Sequence, residues 1–294
     1  MDIINFGYQL KTPMVMCLGY FDAIHIGHTG LINKAKEIAK NENLSLAVLL
    51  FTGGKGESKD VFSLEERLIK LRVLGVETVI IATLNDSFKN KSKDEFLSEL
   101  FTYYNVKYTA CGYDFRYGKN AVGDSKFLEN FAEKFGAKTI FCPEITDKTG
   151  QKISSKTIKK ALLNGDIKLA NELIGSNYFI RGIVVKGKEL GRKIGYPTAN
   201  ILINNEKLLI KSGVYLTFTI IGDKIYSCLT NVGKQPTVNG FNDVIETYIY
   251  NYSGDLYGKS LTVYFVEKIR DISKFSSIEE LKNQLDKDLE VLKW

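Results

Sequence analysis

The chain has 294 residues, of which 44% are hydrophobic and 25% are charged. These fractions are typical of globular proteins and exclude a fibrous or an intrinsically disordered chain. At about 100–200 residues per domain, the length predicts one large domain or two ordinary ones. The 40 basic and 34 acidic residues give a formal net charge of +6. A mild basic excess without a long run of like charges favours anionic small molecules over nucleic acid as ligands.

The cysteines and the apolar segments indicate where such a protein would work. Cys17, Cys111, Cys142 and Cys228 show no C-x-x-C spacing, which predicts reduced thiols and neither a disulfide framework nor a zinc site. The longest apolar run, residues 44–51, is too short to span a bilayer. The N-terminus lacks the basic start of a signal peptide. We therefore expect a cytoplasmic protein that does not associate with membranes.

The first part of the chain, up to about residue 175, alternates short apolar runs with helical periodicity. Strands are predicted at 13–21, 44–51, 76–82, 108–112 and 138–142. Helices are predicted at 29–41, 64–74, 93–104, 127–135 and 157–174. Strands separated by helices imply right-handed crossovers and a mostly parallel sheet. Residues 1–175 are therefore predicted to form an α/β domain.

The second part is rich in β-branched and aromatic residues. Strands are predicted at 178–185, 213–221, 224–231, 244–252 and 260–267. The links between them contain turn residues, and regularly spaced strands of this kind suggest an antiparallel barrel. The last segment, 277–293, is predicted as an amphipathic helix with Ser277 and Glu280 in a capping box. Residues 176–294 thus form a second predicted domain.

The two histidines of the chain, His25 and His28, lie where the first predicted strand leads into the first helix. Backbone N–H groups and the helix dipole can bind phosphate at such a terminus. Both imidazoles would lie on one face, and Gly27 would let the backbone approach a ligand closely. The spacing alone leaves open that they are surface or capping histidines.

The segment 19–28, with its H-x-G-H sequence, resembles the nucleotidyltransferase superfamily. The resemblance implies that His25 and His28 stabilise the α-phosphate of ATP during adenylyl transfer. It also implies ATP contacts from Gly19, Phe21, Asp22 and Gly27. The segment 153–159 resembles the I-S-S-T-x-x-R element of the same superfamily, which implies phosphate contacts from Ser154, Ser155 and Lys159. From the residues alone, either serine is also a plain helix N-cap.

The segment 112–118 resembles the G-x-D-F-R-F-G segment of bacterial FAD synthetases. The resemblance implies that Asp114, Phe115 and Arg116 lie at the flavin and nucleotide site. Without it, Arg116 would be an ordinary solvated turn arginine. Two positions and one segment depart from the family pattern. Ala23 stands where the family has a glycine. Lys159 stands where it has an arginine, and its ammonium is a point charge where the guanidinium is a planar fork. Residues 52–60 lack the usual P-H-P sequence.

In the second half, residues 186–195 form a basic loop with regularly spaced glycines. Such a loop can wrap a diphosphate with backbone N–H groups, but it lacks the G-K-[ST] ending of a Walker A loop, and a plain hairpin is the simpler interpretation. The adjoining P-T-A-N sequence resembles that of riboflavin kinases. The resemblance implies that Thr198 and Asn200 hold Mg²⁺ and ATP phosphates. It implies further ATP contacts from Gly187, Gly191, Arg192 and Gly195.

Two later segments also resemble riboflavin kinase. The segment 244–258 is similar to the strand and turn in which a glutamate, here Glu246, acts as general base. The strand period places Glu246 and Tyr248 on one face; read in isolation, the glutamate could equally be the cross-strand partner of a lysine. The segment 270–275 resembles the family's L-R-x-E-x-K-F ending, which implies that Arg270 and Phe275 lie near the flavin.

Together and in this order, the two halves resemble the prokaryotic bifunctional riboflavin kinase/FMN adenylyltransferases, or FAD synthetases, over essentially the whole chain. The resemblance implies a Rossmann-like nucleotidyltransferase domain with a parallel sheet, followed by an antiparallel β-barrel riboflavin kinase domain with a C-terminal helix. The implied reactions are riboflavin and ATP giving FMN, then FMN and ATP giving FAD and diphosphate. The implied small molecules are ATP, Mg²⁺, riboflavin, FMN and FAD.

Three other functions stay open at this point. The missing P-H-P sequence motivates a riboflavin kinase with a degenerate, inactive first domain. A non-catalytic flavin-binding regulator is a second alternative, although Glu246, Thr198 and Asn200 argue against it, because a binder needs neither a base nor metal ligands. The first half alone could also transfer a nucleotide to a substrate other than FMN. The sequence leaves the oligomeric state undetermined.

Overall fold

The structure is a computed structural model that describes residues 1–54, 58–187, 191, 194–203, 206–237 and 240–292. The side chains of 234–237 and 240–244 lie outside this description. By its internal contacts the chain forms two compact units, Met1–Ser155 and Lys156–Trp294.

The elements of the first unit alternate as predicted. Its strands are β1 (Asp2–Asn5), β2 (Leu10–Gly19), β3 (Ser45–Thr52), β4 (Thr78–Thr83), β5 (Tyr104–Gly112), β6 (Arg116–Tyr117), β7 (Gly123–Asp124) and β8 (Lys138–Cys142). Its helices are α1 (Ile26–Asn41), α2 (Leu64–Val73), α3 (Asp86–Lys89), α4 (Lys93–Tyr103), α5 (Ser125–Glu133) and a 3₁₀ turn at Lys119–Ala121.

The elements of the second unit are two helices, a set of strands and a final helix. The first helix, α6 (Ser155–Asn164), begins at the last residue of the first unit and is followed by α7 (Ile167–Ile174). The strands are β9 (Phe179–Val185), β10 (Thr198–Leu202), β11 (Gly213–Ile221), β12 (Lys224–Thr237), β13 (Gly240–Ile249) and β14 (Ser260–Arg270). The chain continues into α8 (Ile278–Leu289) and a 3₁₀ turn at Glu290–Leu292.

A six-stranded sheet organises the first unit, in the order β1–β4–β3–β2–β5–β8, with all neighbours parallel. This confirms the predicted parallel sheet. The edge strand β1 was not predicted, because it is short and largely exposed and so lacks the apolar run of a buried strand. The sheet is buried on both faces by helices, with one apolar cluster that includes Phe96 and Leu100 and another that includes Leu31 and Ile32.

The chain reverses its direction of travel across this sheet between β2 and β5. Strands β3 and β4 follow β2 on one side, whereas β5 and β8 extend the other side. In open α/β sheets such a switch point leaves a crevice at the carboxyl ends of the strands, where ligands bind. The segments that follow Gly19, Gly112 and Cys142 all leave the sheet at this edge.

The prediction of one continuous helix over 157–174 was wrong. Gly165 adopts a left-handed conformation with φ of 79°, which residues other than glycine rarely tolerate, and it ends α6. The Asp166 carboxylate then accepts a hydrogen bond of 3.1 Å from the Leu169 N–H and caps α7. The Gly-Asp pair that separates the helices is a recognisable stop and start signal.

Six antiparallel strands of the second unit close into a barrel, in the order β9–β10–β13–β12–β11–β14. This confirms the predicted barrel and its antiparallel pairing. Strand β10 was not predicted as a strand, because its five residues include few β-formers. It closes the barrel by pairing with both β9 and β13.

The barrel interior is filled by side chains, and it contains a chain of threonine hydroxyls. The Thr230 hydroxyl lies 2.7 Å from that of Thr217 and 3.0 Å from that of Thr247. All three side chains are fully buried. A buried hydroxyl needs a hydrogen-bond partner, and here the threonines of adjacent strands supply it to each other.

The boundary between the compact units lies twenty residues before the predicted boundary at 175/176. Helix α7 packs on strand β14 of the barrel, and its Asn171 side chain makes two hydrogen bonds there. The amide nitrogen donates to the Phe265 carbonyl at 2.9 Å, and the amide oxygen accepts from the Tyr178 N–H at 2.6 Å. By their contacts, both helices at 155–174 therefore belong with the barrel.

These contacts predict that a fragment of residues 156–294 is more stable than one of residues 176–294. The shorter fragment loses Leu173 and Ile174, whose side chains are almost fully buried, as well as the Asn171 hydrogen bonds. Burial of two such side chains contributes roughly 1.5–3 kcal/mol each, so we expect the free energy of unfolding to fall by more than about 3 kcal/mol. Urea unfolding followed by circular dichroism tests this, and equal midpoints would contradict it.

Candidate active sites

A cavity of about 300 Å³ lies at the carboxyl ends of β2, β5 and β8, at the switch point of the sheet. Most residues that the motifs of the first half assign to a ligand line it together. These are Gly19, Phe21, Gly27, His25, His28, Asp114, Phe115, Ser154 and Ser155. Segments from four separate parts of the chain thus converge on one cavity, as the parallel topology requires.

The two imidazoles stack inside this cavity. The ring centroids of His25 and His28 are 3.8 Å apart and the rings are tilted by 20°. The ring of Phe21 packs against His28 at 5.0 Å. A Cβ atom at Gly27 would come within 3.1 Å of the His25 ring, so a larger residue at this position would press on the stack.

Burial makes both histidines poor bases. It lowers the pKa of His25 to about 4, an effect that the nearby Asp22 carboxylate opposes and the Lys152 ammonium reinforces. Burial, with a smaller contribution from His25, also lowers the pKa of His28 well below its ordinary value. Both Nδ1 atoms are buried and have no hydrogen-bond partner among the described residues. At neutral pH the pair therefore offers neutral imidazoles, each with one N–H donor.

Lys152 also lines the cavity, although no sequence motif had indicated it. Its ammonium lies 2.6 Å from the Asp114 carboxylate and 3.3 Å from that of Glu144. Tyr113 donates a further hydrogen bond to Glu144. The mouth of the cavity thus carries a cation between two carboxylates. A lysine two residues before a pair of serines is too ordinary a pattern to be recognised in a single sequence.

Three of the residues predicted to bind ligands in the first half lie elsewhere. The buried Asp22 carboxylate accepts a 2.6 Å hydrogen bond from the Val61 N–H, so it anchors the chain beyond the β3 loop. Arg116 is 58% exposed and pairs with Asp124 at 3.5 Å across the β6–β7 hairpin. Lys159 lies one turn into α6, in the part of the chain that groups with the second unit.

The loop after β3, residues 52–60, was expected to border the site. Its first residues are described: the Tyr20 hydroxyl donates to the Gly53 carbonyl at 2.9 Å, and Gly53 and Gly54 both have positive φ. Residues 55–57 lie outside the described part of the chain. The expected effect of the missing P-H-P sequence on this subsite stays a prediction.

A second cavity, of about 290 Å³, lies between the outer face of the barrel and helix α8. Residues at helical spacing line it from α8: Ile278, Leu281, Leu285, Asp288 and Leu289. The predicted cap of this helix is present, since the Ser277 hydroxyl accepts from the Glu280 N–H at 3.1 Å. The Glu280 carboxylate accepts hydrogen bonds from the N–H and the hydroxyl of Ser276. The capping box predicts a hydrogen bond from the N–H of Ser277 instead.

The barrel side of this cavity is built on one row of residues that runs across five neighbouring strands. In the strand register Asn200 is opposite Glu246, and Glu246 is also opposite Asn231. Asn231 is opposite Val214, which is opposite Arg270. All five line the cavity. Antiparallel neighbours in one row have Cβ atoms about 4.5–5.5 Å apart, so Glu246 is flanked by two amides.

A parallel row two residues along contributes Thr198 and Tyr248, which are also opposite each other. Thr198 and Asn200 therefore present oxygen atoms on the same face of β10. The preceding loop comes very close to them. A Cβ atom at Gly187 would collide with the Asn200 amide, and one at Gly191 would lie 3.6 Å from the Thr198 hydroxyl.

Arg270 lines the cavity, but its guanidinium is engaged. Its Nη2 lies 2.7 Å from the Asp288 carboxylate and its Nε lies 3.0 Å from both oxygens. Asp288 is only 3% exposed and also accepts from Gln284 at 2.8 Å. Phe275 lies 5.9 Å from the guanidinium. Arg270 thus ties α8 to the barrel while it borders the pocket.

Sequence reasoning missed Asn231 and Asp288, which only strand register and tertiary packing bring to the cavity. Among the other predicted residues, Gly195 has φ of 94° in the turn before Tyr196. The Tyr196 hydroxyl donates to Asp286 of α8 at 2.5 Å. Arg192 lies outside the described residues.

In the described part of the chain, no helix has the length and apolar character to cross a membrane.

The buried imidazoles predict an unusual response to pH. An unfolded chain binds protons at histidine below about pH 6.5, whereas folded His25 has a pKa of about 4. Because only the unfolded state protonates this imidazole in the window, its contribution makes the free energy of unfolding fall as the pH drops from 6.5 to 4. Titration of the imidazole NMR signals measures the pKa values on which this prediction depends. A midpoint near 6.5 for either histidine would contradict it.

Two family models match the chain, one described as FAD synthetase over residues 8–157 and one described as riboflavin kinase over residues 174–294. A solved structure from Streptococcus pneumoniae, titled macrolide-efflux protein, has a TM-score of 0.89 and 31% identity, and the match covers 100% of both chains. This similarity supports the fold of the whole chain.

Several curated proteins named bifunctional riboflavin kinase/FMN adenylyltransferase are similar along nearly their whole length. The Bacillus subtilis protein is 35% identical over 95% of this chain and 91% of its own. The Haemophilus influenzae protein is 33% identical over 95% and 92%, and that of Escherichia coli K12 is 32% identical over 97% and 94%. The chain therefore belongs to the family of bifunctional riboflavin kinase/FMN adenylyltransferases.

Proposed function

We propose that the cavity of the first unit carries FMN adenylyl transfer and that the cavity on the barrel carries riboflavin phosphorylation. The chain is thus a transferase with kinase and nucleotidyltransferase activities. One observation supports the assignment of one reaction to each cavity. The histidine pair lies within the part similar to FAD synthetase, and the row through Glu246 lies within the part similar to riboflavin kinase. ATP and the flavins are the substrates and products.

In the kinase reaction, Glu246 accepts the proton of the terminal ribityl hydroxyl as its oxygen attacks the γ-phosphorus of ATP, and ADP leaves. The flanking amides of Asn200 and Asn231 suit the hydrogen bonds that orient this hydroxyl. The apolar face of α8 and the ring of Phe275 would cover the flavin. Arg270 would act mainly by holding α8 through Asp288.

Thr198 and Asn200 are the residues that would hold Mg²⁺. Oxygen donors are the ligands that this ion prefers, and it commonly keeps phosphates and waters as its other ligands. The fit is supported by the close approach of Gly187 to the Asn200 amide. In the described part of the chain, no cluster of three acidic, histidine or cysteine side chains offers a metal site. When bound, the ion would offset negative charge on the transferring phosphate.

In the adenylyl transfer, a phosphate oxygen of FMN attacks the α-phosphorus of ATP and diphosphate leaves, so no protein nucleophile is needed. His25 and His28 donate N–H groups to the charge that develops on the α-phosphate. Ser154 and Ser155, which line the cavity, are assigned to the other phosphates. Asp114 and Phe115 are assigned to the flavin.

The alternatives differ in their products. A kinase with an inactive first domain would form FMN only, and a flavin-binding regulator would form neither product. The stacked histidine pair favours an active first site, because a degenerate domain has no need of it. A cytoplasmic location and the absence of nucleic-acid partners remain predictions from the sequence.

The two reactions should separate by mutation. Glu246→Gln keeps the size of the side chain but cannot accept a proton, and loss of a general base typically costs about 10²–10⁴-fold. His28→Gln removes an imidazole at the phosphate, and loss of one such donor costs about 10²–10³-fold. FMN formation should collapse only in the first variant and FAD formation from supplied FMN only in the second. Chromatographic separation of FMN and FAD measures both.

Glu267→Gln is the matched control for Glu246→Gln, because Glu267 is a carboxylate of the same barrel that pairs with Lys168 at the surface. It should leave both rates unchanged. If either test substitution abolished both reactions in a chain that still unfolds cooperatively, the assignment of separate sites would be wrong. FMN as the sole product of the unmodified chain, at saturating FMN and ATP, would instead support the kinase-only alternative.

The proposed metal site predicts a change in the Mg²⁺ requirement. Asn200→Ala removes one of two protein oxygen donors, so the kinase should need a higher Mg²⁺ concentration for half-maximal rate. Adenylyl transfer by the same variant should keep its own Mg²⁺ dependence. Initial rates measured over a Mg²⁺ series check both statements. An unchanged half-maximal concentration for the kinase would remove Asn200 from the metal site.

A further inference from the structure

The segment that leads into the histidine pair is strained. Phe21 has φ of 50° and Ile24 has φ of 40°, in the left-handed region that side chains larger than glycine rarely adopt. Such residues persist only where their surroundings hold them, and they concentrate at functional sites. The strained residues lie directly between Gly19, the last residue of β2, and His25, the N-cap of α1.

A buried arginine from α2 holds the start of this segment. Arg67 is 2% exposed, and its Nη1 donates to the Tyr20 carbonyl at 3.0 Å and to the Phe51 carbonyl at 3.1 Å. Its Nη2 lies 3.4 Å from the Asp60 carboxylate. The guanidinium also packs 5.5 Å from the Tyr20 ring. One planar group thus joins the ends of β2 and β3 to Asp60, the last residue of the loop that follows β3.

The other side of the strained residue is tied as well. The carboxylate of Asp22, which follows Phe21, accepts the 2.6 Å hydrogen bond from Val61. Between these two ties, the Phe21 ring packs against His28. A shift of the Tyr20 carbonyl would therefore move the ring that supports one of the two imidazoles.

Burial of a guanidinium is costly unless its geometry is used. A planar fork can serve two carbonyls and a carboxylate at once, which a lysine ammonium on a flexible stem does less well. The two carbonyl acceptors lie at the carboxyl ends of β2 and β3, at the edge of the sheet that carries the first cavity. The placement of Arg67 therefore serves that edge more directly than it serves the hydrophobic core.

We propose that Arg67 is a positioning residue for adenylyl transfer, which holds the strained bend between β2 and α1 so that His25 and His28 face the reacting phosphate. This proposal rests on the assignment of adenylyl transfer to the first cavity. Arg67 itself does not line that cavity in the structure. Its effect on the reaction is transmitted through the Tyr20 carbonyl and the Phe21 ring.

The test compares Arg67→Met and Arg67→Lys with Arg72→Met in the full chain. Arg72 is an exposed arginine of the same helix and serves as the matched control. A misplacement of about 1 Å can cost about 10²-fold in rate, so Arg67→Met should lower the kcat of adenylyl transfer by that order while KM for ATP changes little. Arg67→Lys should fall between this variant and the unmodified chain. Riboflavin phosphorylation by the same molecules is the internal control and should be unchanged in all three.

The imidazole NMR signals give a second readout that does not depend on activity. Because the chain has only two histidines, both signals can be assigned with one substitution. Loss of the stacked geometry should move them in Arg67→Met and leave them in place in Arg72→Met. A general loss of stability without movement of the histidines would leave these signals at their original positions in the folded fraction.

Normal adenylyl transfer and unmoved histidine signals in a folded Arg67→Met variant would overturn the proposal. If this variant does not fold, Arg67→Lys decides: unmodified rate and signals would overturn the proposal, and a lower kcat with moved signals would support it. Failure of the underlying functional assignment gives a different result, since the unmodified chain would then form no FAD from FMN and ATP.

Discussion

The backbone hydrogen bonds of the strand ladders fix the spacing of the polar groups in both cavities. In the first unit, parallel pairing brings the ends of β2, β5 and β8 to one edge, so the histidine segment and the Asp114 segment meet there. In the barrel, antiparallel pairing sets Asn200, Glu246 and Asn231 side by side. Groups fixed in this way need no rearrangement as charge develops, which is the condition for electrostatic catalysis.

Short motifs carried most of what the sequence could predict. His25 and His28, or Thr198 and Asn200, are close along the chain, so their local spacing already indicates a shared function. Asn231 reaches the same cavity only through the β12–β13 ladder, and neither composition nor periodicity reveals a partner on another strand. The grouping of α7 with the barrel could not be predicted for a related reason, since the contacts of α7 with β14 are tertiary.

Two arginines show how buried charge is used in the two units. Arg67 joins the ends of two strands to a following loop, and Arg270 joins a strand to the C-terminal helix through Asp288. Apolar residues could fill either space, often without loss of stability. A guanidinium instead specifies one arrangement of the carbonyls or carboxylate around it. In each unit this specified arrangement forms a border of the cavity.

The threonine chain inside the barrel also determines where a ligand can be held. A six-stranded barrel is too narrow to enclose a small molecule once its own side chains fill it, and here the centre is closed by the mutually bonded hydroxyls of Thr217, Thr230 and Thr247. The barrel is therefore a solid support, and the cavity lies on its convex outer wall. A convex wall offers no concavity by itself, so the cavity depends on helix α8, which lies across that wall.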